Sequence, residues 1–156
     1  MSEDGSNPFD RVVGSWEAVV ADMDDVATEY RRAGWEVLEL HPGDVAVLDE
    51  ERFGLEVLVP DDEFDRLEGW VDAGAEFDSY EVYRTVDSEI VFLLVVLTEA
   101  ASERAVCVPA YYERSKAEGL HERADREGEI FTHVRRLRRD RIVTFTQADP
   151  GPFFPG

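Results

Sequence analysis

Cysteine, lysine and the side-chain amides are nearly missing from this chain: Cys107, Lys116, Asn7 and Gln147 are each the only residue of their kind in 156. A lone cysteine excludes an intramolecular disulfide and any cysteine-based metal cluster, and it suits a reducing interior. Long apolar runs are missing too. The longest, residues 90–97, covers eight residues, whereas a membrane-spanning helix needs about 20. The first ten residues are acidic and lack a basic segment followed by an apolar one, so no secretory signal is expected and the expected location is cytoplasmic. Calcium-loop, P-loop, HExxH, GxGxxG and GxSxG patterns do not occur. Neither a metal nor a cofactor is expected.

What is abundant is negative charge. Asp and Glu number 36 against 16 basic residues, 15 of them Arg, for a formal net charge of −20. Such a surface repels itself in dilute buffer, but in molar salt the screening length falls to about 3 Å and the repulsion fades. The composition therefore points to a halophile, and 20 Val against 3 Ile suits a GC-rich genome. Where acidic surfaces are a general adaptation, net charge does not exclude a nucleic-acid partner. A hydrophobic content of 44% with 11% aromatics supports a packed core rather than disorder. The expected organisation is a disordered acidic N-terminus (1–10), a single α+β domain (11–148) and a Pro/Phe tail (149–156).

Apolar positions Val12, Trp16, Val19, Met23, Val26 and Tyr30 recur at spacings of four and three, predicting a helix over residues 10–34. Its stripe suits packing on the protein's own sheet or a dimer seam. Residues 35–40 and 44–49 alternate around His41-Pro42-Gly43-Asp44, which reads as a hairpin turn. A third strand follows at 53–59. Asp61 is the expected N-cap of a helix buried through Phe64, Leu67, Trp70 and Val71 and ended by Gly74. Residues 77–86 alternate as a half-buried strand, while 90–97 is apolar throughout and belongs centrally, covered on both faces. Pro109 demotes the stretch 105–112 to an edge or a bulge. A thinly apolar helix is expected over 113–127, then a final hairpin from 129–137 and 142–147. The three prolines of the tail argue against regular structure there. The fold class is α+β, a mainly antiparallel sheet with helices packed on it, in the order α-β-β-β-α-β-β-(β)-α-β-β.

Arg135, Arg136, Arg138, Arg139 and Arg141 place five of the fifteen arginines within seven residues. A tight turn at Arg139 and Asp140 would set Arg138 opposite Arg141 and Arg136 opposite Val143, gathering like charges that are unfavourable without an anion between them. The cluster is a candidate dock for an acidic protein or nucleic acid; the alternative is neutralisation by the chain's own carboxylates. His121, His133 and His41 lie in no recognised metal or catalytic spacing. Cys107 sits between Val106 and Val108, the setting of an inert packed thiol. Phe153 and Phe154 either fold back onto the domain or insert into a partner.

The stretches Trp16-Glu17-Ala18-Val19-Val20-Ala21-Asp22-Met23 and Gly34-Trp35-Glu36-Val37-Leu38-Glu39-Leu40-His41-Pro42-Gly43-Asp44 resemble segments of a haloarchaeal family of unknown function. That resemblance implies habitat and no activity. The element order over residues 10–97 is also similar to the secretion-chaperone-like fold, whose members are small, acidic and often dimeric binders of polypeptides. The leading expectation is a non-catalytic binding protein using the arginine hairpin. The rivals are a small hydrolase or ligand-binding enzyme with a pocket near Tyr83, Cys107, Tyr111 and His133, and a regulatory or structural homodimer.

Overall fold

The computed structural model describes residues 8–49 and 51–155, with side chains from residue 13 onward. The expectation of disorder over residues 1–10 falls mostly outside the described residues, but Pro8 already opens helix α1 (Pro8–Arg32). Next come β1 (Glu36–Glu39), β2 (Asp44–Leu48), β3 (Gly54–Leu58), α2 (Asp61–Asp72), β4 (Ser79–Asp87), β5 (Ile90–Glu99) and β6 (Arg104–Glu113). A 3-10 turn at Arg114–Lys116, α3 (Glu118–Glu127), β7 (Ile130–Arg135), β8 (Ile142–Gln147) and a 3-10 turn at Gly151–Phe153 complete the chain. This is an α+β fold in the expected element order.

The strands form two four-stranded sheets, β1-β6-β5-β4 (sheet A) and β2-β3-β7-β8 (sheet B). Each holds one parallel pairing, β1 with β6 and β3 with β7, and the other four ladders are antiparallel. Strand β5 is apolar on both sides because both sides are covered. Val91, Leu93, Val95 and Leu97 enter the main core with residues of sheet B, α2 and α3. Phe92, Leu94 and Val96 meet Val19, Met23 and Ala27 of α1. The α1 stripe is thus occupied by the chain's own sheet.

The hairpin expected around His41-Pro42-Gly43-Asp44 does not form, because β1 and β2 belong to different sheets. Val37 and Leu38 are both buried, one toward α1 and one toward the main core, a demand that only a strand inside sheet A meets. Leu40 N–H donates to the Cys107 carbonyl and Gly43 N–H to that of Leu58, so the chain changes sheets within three residues. Glu63 braces the switch, accepting from His41 N–H at 2.7 Å and lying 2.7 Å from the His41 Nδ1.

Strand β6 lies between β1 and β5 rather than at an edge, and Pro109 is tolerated by direction. Glu103 and Cys107 turn their carbonyls to β1, and strand parity sends the Pro109 nitrogen to the same side, past the last paired residue of β1. No ladder donor is lost there. Pro60, not Asp61, takes the cap position of α2, with no side-chain cap bond, and the carboxylates of Asp61, Asp62 and Glu63 occupy its first turn, where the helix dipole favours them. The tail holds a single 3-10 turn, which accepts Pro152 at its start.

Candidate functional site

The candidate site is the connection between β7 and β8. Val134 pairs with Val143 and Arg135 with Ile142, two residues short of the expected register. The turn is therefore a six-residue loop, 136–141, instead of a tight pair at Arg139 and Asp140. A shift of two leaves every side chain on its expected face. The loop closes on its own arginines. Arg135 Nη1 donates to the carbonyls of Arg136 and Leu137 at 3.0 and 3.3 Å. Arg136 grips Asp140 through Nη2 at 2.8 Å and Nε at 3.3 Å.

The five arginines fall into two groups. Arg135 is buried and donates to Glu56 Oε1 at 3.1 Å, across from the central strand β3. Arg136 also reaches Asp65 of α2 at 3.1 Å and covers the Phe64 ring. Arg141 meets Glu68 of α2 at 3.1 Å. Hydrogen bonding from Arg136 holds the Asp140 carboxyl well below its ordinary range, at about 2. Arg138 and Arg139 are different: their side chains are 75% and 67% exposed and approach Asp140 and Glu56 only at 3.9 Å. Between the arginine pairs stands Leu137, 76% exposed. Beside the loop, a groove of about 490 Å³ between α2 and β8 is lined by Glu68, Val71, Phe77, Arg141, Ile142 and Phe145. The like-charged trio expected on one face is accordingly dispersed: Arg136 is covered and Arg141 is half-exposed, both held by α2, and the most exposed cations of the five are Arg138 and Arg139.

The pocket expected near Tyr83, Cys107, Tyr111 and His133 is not assembled. Cys107 and Tyr111 pack beneath α1 on one face of sheet A, where burial pushes the Cys107 thiol up to about 12. Tyr111 meets Trp16 edge to face, and the Tyr83 hydroxyl donates to Glu81 on the strand margin. His133 belongs to sheet B, with Nδ1 2.8 Å from Thr144 Oγ1. Burial, then the Arg52 charge, lowers its pKa, a shift that disfavours the imidazolium form. Tyr83, Cys107 and Tyr111 lie in sheet A and His133 in sheet B, so the Cys107 thiol and the His133 imidazole do not meet as nucleophile and base. His121 is stacked on Phe154 at 4.1 Å between ring centroids, with Asp125 3.4 Å from its Nε2. Phe153 and Phe154 are buried in the main core, and the Tyr112 hydroxyl donates to the Phe153 carbonyl at 2.6 Å. Neither ring is presented to a partner.

Sequence reasoning overlooked Glu56, Arg52 and Leu137. Glu56 is the one charge within the apolar stretch 53–59, and it receives Arg52 at 3.1 Å as well as Arg135. That isolated carboxylate was the available signal. Leu137 could have been noticed as the lone apolar residue among five arginines.

Fold and site together define an α+β two-sheet protein whose distinctive surface is a cationic, leucine-tipped loop and whose histidines and cysteine form no reactive cluster. The chain belongs to a family of unknown function, DUF7529, whose model matches residues 3–155. No curated protein and no solved structure matches it. Among the described residues, no helix is long and apolar enough to cross a membrane, and no group of His, Cys, Asp or Glu is placed to hold a metal ion.

Proposed function

We propose that this chain is a non-catalytic interaction protein of a halophile's cytosol, docking an acidic polypeptide at the β7–β8 loop. One observation carries the reading: Arg138 and Arg139, largely exposed and approached by carboxylates only at 3.9 Å, directly follow a solvent-facing Leu137, on a chain of net charge −20. A surface so acidic repels anions except where cations stand clear of their own carboxylates. Leucine adds what arginine lacks in brine. Charge contacts weaken when the screening length is about 3 Å, whereas apolar burial does not. The neighbouring groove, with Val71, Phe77, Ile142 and Phe145, would receive apolar side chains of the same partner. A polypeptide supplies both chemistries along one strand, which favours it over a nucleic acid.

Fluorescence anisotropy in about 1 M KCl, with a labelled acidic peptide containing leucines and separately with a single-stranded oligonucleotide, tests the proposal. Peptide binding is expected to weaken about tenfold or more in Arg138→Glu/Arg139→Glu and in Leu137→Ser. Lys116→Glu, a charge reversal on another exposed turn, should bind as the unaltered chain does. Equal affinity across all variants refutes the docking role, and binding of the oligonucleotide alone reassigns the partner to nucleic acid.

A further inference from the structure

Five large apolar side chains are exposed among the described residues: Val13, Tyr83, Val86, Leu137 and Ile142. The last two belong to the loop and groove above. Tyr83 and Val86, 49% and 40% exposed, belong to β4, an edge strand of sheet A remote in sequence and topology from the loop. The strand pairs with β5 without a bulge over nine residues and contains no proline; its charges are Glu81, Arg84 and Asp87, and its contacts with the tail are made by side chains, Tyr80 to the Asp149 carbonyl and Arg84 to that of Pro152 at 2.8 Å.

Which backbone groups face outward follows from the ladders. Cys107 turns its carbonyl to β1, so Val96, its partner on β5, directs its polar groups the other way, to β4, where it faces Glu81. Alternation then gives Tyr80, Val82, Arg84 and Val86 N–H and C=O groups on the open side. Among the described residues none of the four has a backbone partner there.

We infer that β4 pairs antiparallel with β4 of a second copy about a two-fold axis at Tyr83, joining two copies of sheet A into one continuous sheet. The strand is complementary to itself in that register. Val82 faces Arg84 of the second copy, Tyr80 faces Val86, Glu81 faces Thr85 and Ser79 faces Asp87, so all four outward residues form ladder hydrogen bonds and no like charges meet. Tyr83 alone meets itself, as a non-hydrogen-bonded pair whose rings lie closest. Sliding by two residues one way sets Arg84 on Arg84 and Glu81 on Asp87; sliding the other way leaves Val86 without a rung. Because each copy carries −20, pairing tightens as salt screens the repulsion.

Sedimentation in about 2 M KCl is expected to show a species of twice the 17.7 kDa chain mass, weakening as salt is lowered. In Val86→Pro the lost N–H points away from β5, so the circular dichroism should be unchanged while self-association weakens at least about tenfold. Under mild oxidation Tyr83→Cys should cross-link two copies, because a non-hydrogen-bonded pair brings the α-carbons to about 4.5 Å. Thr85→Cys, which faces Glu81, should not, and Cys107 is fully buried. A monomer at every concentration, equal linking at both positions, or linking at Thr85→Cys alone would overturn the inference. Arg138→Glu/Arg139→Glu should dimerise normally, so failure of loop docking and failure of edge pairing are separately visible.

Discussion

Glu56 decides whether the arginine cluster is held together. It is buried, carries Arg135 and Arg52 at 3.1 Å each, and has Arg139 at 3.9 Å. The exposed pairs nearby, such as Arg138 with Asp140, contribute no more than about 1 kcal/mol each. Removing the buried partner is a different matter, since Arg135 would remain desolvated beside nothing of opposite charge. Glu56→Ala should therefore lower stability by about 3–5 kcal/mol, read from urea unfolding at constant high salt; a loss below about 1 kcal/mol would show that Arg135 finds water or another acid. At this scale the sequence displayed the cations and hid their partners. Five arginines in seven residues are visible by eye, but Asp65, Glu68 and Glu56 lie far away along the chain and are brought close only by the packing of α2 and β3. Phe153 and Phe154 were equally ambiguous in the sequence, since their burial depends on a hollow made by other elements.

Elements were the most legible level, and their order was read correctly because each carries its own periodicity and stop signal. The unbroken apolar run of β5 marks it as a central strand, and both its faces are covered. What escaped was pairing. A Pro-Gly turn between two short strands has the same local chemistry whether it closes a hairpin or hands the chain from one sheet to another, and a parallel pairing such as β3 with β7 joins strands far apart in the chain with no turn between them to announce it. Gly54 marks that second pairing. It adopts φ +145, and a Cβ there would collide with the Phe131 carbonyl oxygen on β7. Gly54→Ala should cost about 2–4 kcal/mol in urea unfolding through strain and displaced backbone. Gly69→Ala in α2, where a Cβ meets nothing within 4 Å, should instead gain up to about 1 kcal/mol. Equal effects at the two positions would mean that β3 and β7 are not packed so closely.

For the whole molecule, charge outweighs every single contact. Ion pairs such as Arg31 with Glu39, Arg104 with Glu36 and Arg141 with Glu68 each have one partner well exposed to solvent and are individually weak, and added salt weakens them further. Against them stand twenty carboxylates in excess of all basic residues, whose mutual repulsion extends about 10 Å at 0.1 M salt and only about 3 Å at 1 M. Repulsion among so many is stronger than the attraction in so few weak pairs, so screening should stabilise the fold more than it loosens them. The same imbalance makes the loosely held cations stand out: on a surface of net charge −20 carboxylates are the background, and Arg138, Arg139 and Leu137 are the departure from it. The most direct measurement is the urea midpoint of the full chain as KCl rises from about 0.1 M to about 3 M. A midpoint that climbs steadily with salt is expected; a chain equally stable in dilute buffer, or destabilised by salt, would contradict the reading of its carboxylates as a response to solvent.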